Sequence, residues 1–338
     1  MSDTTIEWTG TPMPDGTILP GYTFNPWIGC AKVSAGCKHC YAENDTFARV
    51  RRSRGLELWG ADAVRHVTSE ENWRKPVRWN REAAAEKVRR RVFCASMADV
   101  FEDRPDLEWP RRWLFELIEE TPWLDWLLLT KRPENMVQFA QEKWSKRWPT
   151  NVWAGCTVEN QEMADQRITH LLRVPARVRF LSVEPMLGPV DLARIPWMGI
   201  ATDVLQGWDG PDAGIHWVIV GGESGPKARP MHPDWARSIR DQCVAARVPF
   251  FFKQWGAFAD LTNEPDGSDL RRKSTQDDIF LADGESVGAG YRSGRDHGGM
   301  VAENWKERGA AWMSRLGKAK AGRLLDGRTW DEFPTVKP

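Results

Sequence analysis

Six short apolar runs, each ending in small or polar residues and each leading into a stretch of helical spacing or charge, recur along the chain: "RVFCASMADVF", "WLDWLLLTKRPEN", "NVWAGCTVEN", "RVRFLSVEPMLG", "HWVIVGGESG" and "VPFFFKQWG". Continuous apolar runs of this length are what strands buried on both faces require, whereas half-exposed strands alternate. Between the runs the spacing predicts helices over 109–120, 134–144, 160–172 and 233–246. Strand and helix therefore alternate, which argues for βα units rather than a sandwich or a bundle. With the run ahead of Cys30 counted as a first strand, about seven units fit into residues 20–258. The expected fold is α/β, a complete or partial (β/α) TIM-type barrel with a C-terminal extension.

The extension begins where the pattern dissolves. Residues 259–300 contain "NEPDGSDLRRKSTQDD" and "GESVGAGYRSGRDHGG", rich in Gly, Asp, Ser and Arg, and read as a flexible loop or lid. A last helix over 302–316 and the tail "AGRLLDGRTWDEFP" are expected to pack on the barrel, completing a division into 1–258, 259–300 and 301–338.

Composition narrows the function classes. At 338 residues the length suits two average domains or one barrel with additions. Hydrophobic residues at 41% and charged residues at 28% exclude wholesale disorder. Lys plus Arg equals Asp plus Glu at 47 each, so no global positive field announces a nucleic-acid partner. Twenty tryptophans stand against three tyrosines, and most are read as core. No apolar run approaches a membrane span and "MSDTTIEWTG" lacks the order of a signal peptide, so the protein is expected to be cytoplasmic with no membrane partner.

The polar residues gather at the C-terminal ends of the runs: Ser96 and Asp99, Thr130 and Lys131, Thr157 and Glu159, Ser182 and Glu184, Glu223 and Ser224, Lys253 and Gln254. In parallel α/β folds the loops at those ends converge on one mouth, so six such ends in succession point to one shared pocket.

Three of the six cysteines fall within the stretch "FNPWIGCAKVSAGCKHCYAE", as Cys30, Cys37 and Cys40. In a reducing compartment a cluster of this kind reads as metal ligands or reactive thiols rather than disulfides. A structural zinc needs a fourth ligand, for which His39 or Cys94 is available. A [4Fe–4S] cluster held by three cysteines keeps one iron open for a substrate or cofactor. Gly29 and Gly36 precede two of the cysteines and permit a tightly wound loop. The residues leave open an iron–sulfur site, a zinc site and unligated cysteines.

A cysteine loop at the first strand end of a (β/α) barrel resembles the radical S-adenosylmethionine superfamily. More closely, "NPWIGCAKVSAGCKHCYAE", "LLLTKRPEN", "WAGCTVEN", "FLSVEPMLGPV", "VIVGGESG", "FFKQWG" and "LDGRTWDEFP" together resemble the phage-associated three-Cys-motif family, which is similar to the spore photoproduct lyase branch; these blocks span nearly the whole chain. The resemblance implies that Cys30, Cys37 and Cys40 hold three irons of a [4Fe–4S] cluster and that S-adenosylmethionine chelates the fourth. It further implies one-electron cleavage to methionine and a 5′-deoxyadenosyl radical, an electron donor such as flavodoxin or ferredoxin, and a lyase or modifying reaction in nucleic-acid repair. Two departures stand out. The superfamily spacing is C-x₃-C-x₂-C where this chain has C-x₆-C-x₂-C, and His39 occupies the place of an aromatic that shields the cofactor. The superfamily's "GGE" follows the second strand, whereas Gly221 to Ser224 follow about the sixth, so that role is not carried across.

By position, the resemblance gives each polar strand end an expected task. Ser96 and Asp99 would hold the methionine amine, Thr157 and Glu159 the ribose hydroxyls, and Ser182 and Glu184 the carboxylate or ribose side. Gly221 and Gly222 would let adenine or substrate approach the backbone, and His39 would pack on the cofactor. Lys131, Arg229, His232, Lys253 and Gln254 would be left for substrate. Cys94 shares side-chain parity with Ser96 in the second strand, which would turn it inward; in the lyase branch a cysteine near this place returns a hydrogen atom to the product radical. DNA or RNA would meet "RVRRSR" at Arg49–Arg54, "KVRRR" at Lys87–Arg91 and the last helix. The alternatives are a radical enzyme acting on a small molecule or peptide and a zinc-stabilised nucleic-acid-binding protein without catalysis.

Overall fold

The computed structural model describes residues 4–44, 46–144, 148–207, 213–264, 269, 273–293, 296–297 and 305–335. The apolar runs become strands β1 (Tyr22–Thr23), β2 (Arg90–Cys94), β3 (Leu124–Thr130), β4 (Val152–Thr157), β5 (Arg179–Val183), β6 (Trp217–Gly221) and β7 (Phe250–Gln254). They pair in chain order, every neighbour parallel, with β1 and β7 at the two edges. The sheet curls into a half-barrel, the partial form of the expected fold. The turn Glu7–Thr9 packs against both β2 and β7, and Trp8 is buried against Phe93, Phe180 and Trp217.

Helices α1 (Glu70–Glu86), α2 (Glu108–Glu120), α3 (Met136–Trp144), α4 (Gln161–Leu171) and α5 (Pro233–Ala246) supply the crossovers. Their starts follow local chemistry. Ser69 and Asn160 accept from backbone N–H groups of the first turns of α1 and α4, and Pro233 opens α5 behind His232. Between β5 and β6 the described chain runs instead through a hairpin of Ile195–Trp197 and Ile200–Thr202.

The two faces of the sheet bury different side chains. Val92, Cys94, Trp126, Leu128, Ala154, Cys156, Leu181 and Val218 face the helix layer, while Phe93, Leu127, Trp153, Phe180, Trp217 and Phe251 face the interior. Six tryptophans, Trp8, Trp27, Trp79, Trp126, Trp153 and Trp217, are fully buried, each burial stabilising by about 1.5–3 kcal/mol on the area scale for large apolar side chains.

Beyond β7 the chain forms a five-stranded antiparallel sheet from β8 (Phe258–Asp260), β9 (Gln276–Phe280), β10 (Ser286–Ser293), β11 (Asp296–His297) and β12 (Ala311–Arg315), in the order β8-β12-β9-β10-β11. The expected helix over 302–316 is thereby corrected: residues 302–304 lie outside the described residues, and Ala311–Arg315 is a strand. Its pairing with both β8 and β9 overrides a composition that local spacing reads as helical. The expected loop over 259–300 contains β9, β10 and β11 and also residues outside those described. The tail returns to the barrel, where Phe333 packs on Trp217 and Phe251, and the Trp217 indole donates to the Glu332 carbonyl at 2.9 Å.

Candidate functional site

A cavity of about 690 Å³ opens at the C-terminal mouth of the half-barrel. Its wall includes Cys30, Cys37, His39 and Cys40 together with the strand-end residues Ser96, Asp99, Thr130, Lys131, Thr157, Ser182, Glu184, Gly222, Glu223, Ser224, Lys253 and Gln254. All three clustered cysteines therefore face one space, and the loop that carries them lies across the mouth. Its tight course depends on glycine. Gly29 has φ +118°, and a Cβ at Gly36 would stand 2.2 Å from Glu159 Oε1.

Three carboxylate–arginine pairs hold this loop, each carboxylate coming from the chain beyond a different strand. After β2, Glu102 accepts from the Ala31 backbone N–H at 3.1 Å and forms a two-pronged pair with Arg65 at 2.7 and 2.8 Å. After β4, Glu159 accepts from Ser34 Oγ at 2.6 Å and pairs with Arg167 of α4 at 2.7 Å. After β6, Glu223 meets His39 Nδ1 at 3.4 Å and pairs with Arg229 at 2.6 Å, while Arg229 also donates to the Ala35 carbonyl at 3.0 Å. Buried carboxylates are tolerable because each is paired and hydrogen-bonded. Burial pushes the Glu223 pKa up, but its bonds from Arg229 outweigh that and leave it lowered.

A fourth pair is built differently. Asp99 accepts from Phe101 N, Thr130 Oγ1, Lys131 N and Arg132 Nη1, which uses the roughly four acceptor positions of a carboxylate. Arg132 Nη1 stands 3.6 Å from Cys30 Sγ, and Nη2 donates to the Ala31 carbonyl at 2.8 Å. Burial pushes the Cys30 thiol up to about 12, Asp99 adding to the rise and Arg132 opposing it. A positive charge close to this sulfur favours its thiolate.

The profile of a protein family described as "Protein of unknown function (DUF5131)" matches residues 3–334. The chain belongs to this family. No curated protein and no solved structure matches it.

In this DUF5131 chain the predicted site residues divide into two groups. Cys30, Cys37, Cys40, His39, Ser96, Asp99, Lys131, Thr157, Ser182, Glu184, Gly222, Lys253 and Gln254 share the cavity wall. Within it Ser96 Oγ accepts from Asn25 Nδ2 at 3.0 Å, Lys131 Nζ reaches Thr157 Oγ1 at 3.5 Å, Ser182 Oγ donates to Glu184 at 3.3 Å, and Lys253 pairs with Glu184 at 2.9 Å. Gln254 Nε2 donates to the Gly222 carbonyl, and its Oε1 is buried with no partner among the described residues. Gly221 lies just behind: a Cβ there would stand 2.5 Å from Glu184 Oε1.

For the other candidates, and for Asp99, the structure shows surroundings different from those expected. Cys94 is fully buried in the helix-facing core with Val92 and Trp126, and it does not line the cavity. The parity argument fails because β2 ends at Cys94, so Ser96 lies in the following loop and strand alternation does not relate the two. Glu159 sits beneath the cysteine loop, its oxygens taken by Ser34 and Arg167 rather than open to a ribose. Asp99, with its acceptor positions filled, holds strand ends together instead of an amine. Arg229 is a clamp on Glu223 and Ala35. His232 is the N-cap of α5: Nδ1 accepts from Asp234 N at 3.2 Å, the ring packs on Trp235 and Phe280, and burial lowers its pKa. Of the basic runs, "KVRRR" is not a surface strip, since Arg90 and Arg91 are buried and Arg89 pairs with Asp125 at 2.6 Å. In "RVRRSR", Arg52 pairs with Glu57 at 3.1 Å.

Sequence reasoning overlooked Arg132, Glu102, Arg65 and Tyr41, whose hydroxyl donates to the Ser96 carbonyl at 2.7 Å on the cavity wall. Arg132 had a usable signal, since it follows Lys131 at a polar strand end. Arg65 and Glu102 had none, because 37 residues separate them.

Among the described residues no group of three or more His, Cys, Asp and Glu side chains is gathered closely enough to hold a single metal ion. The zinc reading requires a fourth ligand from His39 or Cys94; Cys94 faces the helix layer, whereas His39 meets Glu223 through Nδ1 and keeps Nε2 for a ligand role. Three cysteines on one loop line the open cavity, one of them beside the buried Arg132 guanidinium. The cavity also falls within the 300–1,000 Å³ common for small-molecule sites. Among the described residues no helix is long and apolar enough to cross a membrane.

Proposed function

We propose that the chain is a radical S-adenosylmethionine enzyme whose [4Fe–4S] cluster is held by Cys30, Cys37 and Cys40. The observation that carries this reading is the convergence of all three cysteines on one cavity whose wall also includes the polar ends of β2 to β7, beside apolar residues such as Trp8, Phe93 and Leu129. The chemistry that such a cluster and S-adenosylmethionine supply when bound is one-electron cleavage of the sulfonium into methionine and a 5′-deoxyadenosyl radical that abstracts a substrate hydrogen atom, the electron coming from a flavodoxin- or ferredoxin-type donor.

The chain's own residues bind, orient and exclude water. Ser96, Thr157, Ser182 and Glu184 are the hydrogen-bonding groups for the amino-acid and ribose parts of the cofactor, and Gly222 lets the backbone of Trp255 and Gly256 pack closely behind this wall. Lys131, Lys253 and Gln254 are left for substrate, with the unpartnered Gln254 Oε1 as an acceptor. The cysteine loop roofs this space, so substrate and cofactor share a partly desolvated chamber. Repair or modification of nucleic acid is the substrate class that the family resemblance adds.

The test is anaerobic incubation of reconstituted protein with S-adenosylmethionine and dithionite, reading 5′-deoxyadenosine and methionine. Both form with the wild-type chain and neither forms with the Cys30→Ala/Cys37→Ala/Cys40→Ala variant. Equal product from both proteins refutes the assignment.

A further inference from the structure

We infer that Arg132 is the residue that sets the charge balance of the cysteine site, seating Cys30 as a ligand and favouring the reduced state of the cluster; this rests on the function proposed above. Four arginines serve the ion pairs around the loop, and only one is aimed at sulfur. Arg65 and Arg167 neutralise carboxylates that bind the loop through Ala31 N and Ser34 Oγ, and Arg229 adds a bond to the Ala35 carbonyl. Arg132 instead brings Nη1 to 3.6 Å from Cys30 Sγ while Asp99 holds the same nitrogen at 2.9 Å and the Ala31 carbonyl holds Nη2 at 2.8 Å.

The guanidinium is therefore fixed on both sides of the cysteine it faces. Its planar fork cannot rotate away without breaking both bonds, and it is 8% exposed, so water screens it weakly. The surrounding charges are partitioned: Asp99 is shared with Thr130 and the Lys131 backbone, and Glu102, 3.7 Å from Arg132, is already paired in two-pronged fashion with Arg65. Three thiolates and a cluster concentrate negative charge here, and one more electron increases it. A fixed cation against one of the sulfurs lowers the free energy of the more negative state, which raises the reduction potential and strengthens retention of the iron.

The experiment compares wild type, Arg132→Lys and Arg132→Gln after anaerobic reconstitution, reading iron retention against a chelator and the cluster potential in a dye-mediated titration followed by electron paramagnetic resonance. Arg132→Gln is expected to hold iron about 10–100-fold more weakly and to show a lower potential, while Arg132→Lys, which keeps the charge, recovers part of both. Because a lone buried Asp99 can itself harm folding, Asp99→Asn/Arg132→Gln is measured alongside, with thermal melting of each variant. That double variant loses one charge of each sign, so its readout is iron retention, which is expected below wild type because the Arg132 contact with Cys30 Sγ is gone. A wild-type potential and wild-type retention in folded Arg132→Gln, or wild-type retention in the double variant, overturns the inference while leaving the proposed function standing. A wild-type chain that takes up no iron overturns both.

Discussion

The two ends of the half-barrel interior are built on opposite principles. At the floor, Trp8, Phe93, Trp153, Phe180, Trp217 and Phe251 pack edge to face or tilted around one arginine. That residue, Arg91, lies over the rings of Trp153 and Phe333 at 4.8 and 4.9 Å and donates to the Gly10 carbonyl; burial lowers its pKa to about 10. At the mouth, arginines are matched with carboxylates, and those carboxylates hold a loop. The floor gains stability from area removed from water, which is non-directional and tolerates small shifts. The mouth gains little net stability from its buried pairs, because desolvation offsets much of the attraction, but it fixes the position of a short segment in three places. Trp8 and Phe93 also line the cavity, so the floor borders the site without supplying the pairs that hold its loop.

The largest expected effect breaks the floor. Trp217→Ala removes a ring that touches Trp8, Trp153, Phe180, Phe251 and Phe333, and it should lower unfolding free energy by about 3–5 kcal/mol in chemical denaturation. The folded fraction should still bind iron at the wild-type ratio. Iron loss from the folded protein would show that floor and mouth are not separable.

A smaller effect should come from the mouth. Gly36→Ala drives a methyl into the Glu159 carboxylate, overpacking worth about 1–3 kcal/mol that the loop can relieve by moving away from Glu159 and giving up the Ser34 bond. Iron content should fall in proportion to the displaced loop while the melting temperature drops by only a few degrees. A variant with unchanged iron would show that the Glu159 clamp does not place the cysteines.

The floor was the more legible of the two ends. Its side chains sit in apolar runs, and burial follows from hydrophobicity within a strand, so β2 to β7 and helices α2 to α5 could be read locally. The convergence of polar strand ends was legible for the same reason, because topology alone carries them to one mouth. Who bonds to whom was not. Asp99 and Glu159 have the same chemistry whether they face a cofactor or an arginine, and the deciding partners, Arg132 and Arg167, are placed by the fold. The Cys94 expectation fails because strand alternation does not reach Ser96, two residues past the end of β2. The strand at Ala311–Arg315 was misread as helix because its partners, β8 and β9, lie more than 30 residues away in sequence.

The central claim is that three cysteines on a clamped loop hold a cluster with one open iron, and the most direct measurement is the iron and acid-labile sulfide content of anaerobically purified wild-type protein, read with its visible absorption. The account predicts a brown protein with about four iron and four sulfide per chain. A colourless protein carrying one tightly bound zinc would contradict it.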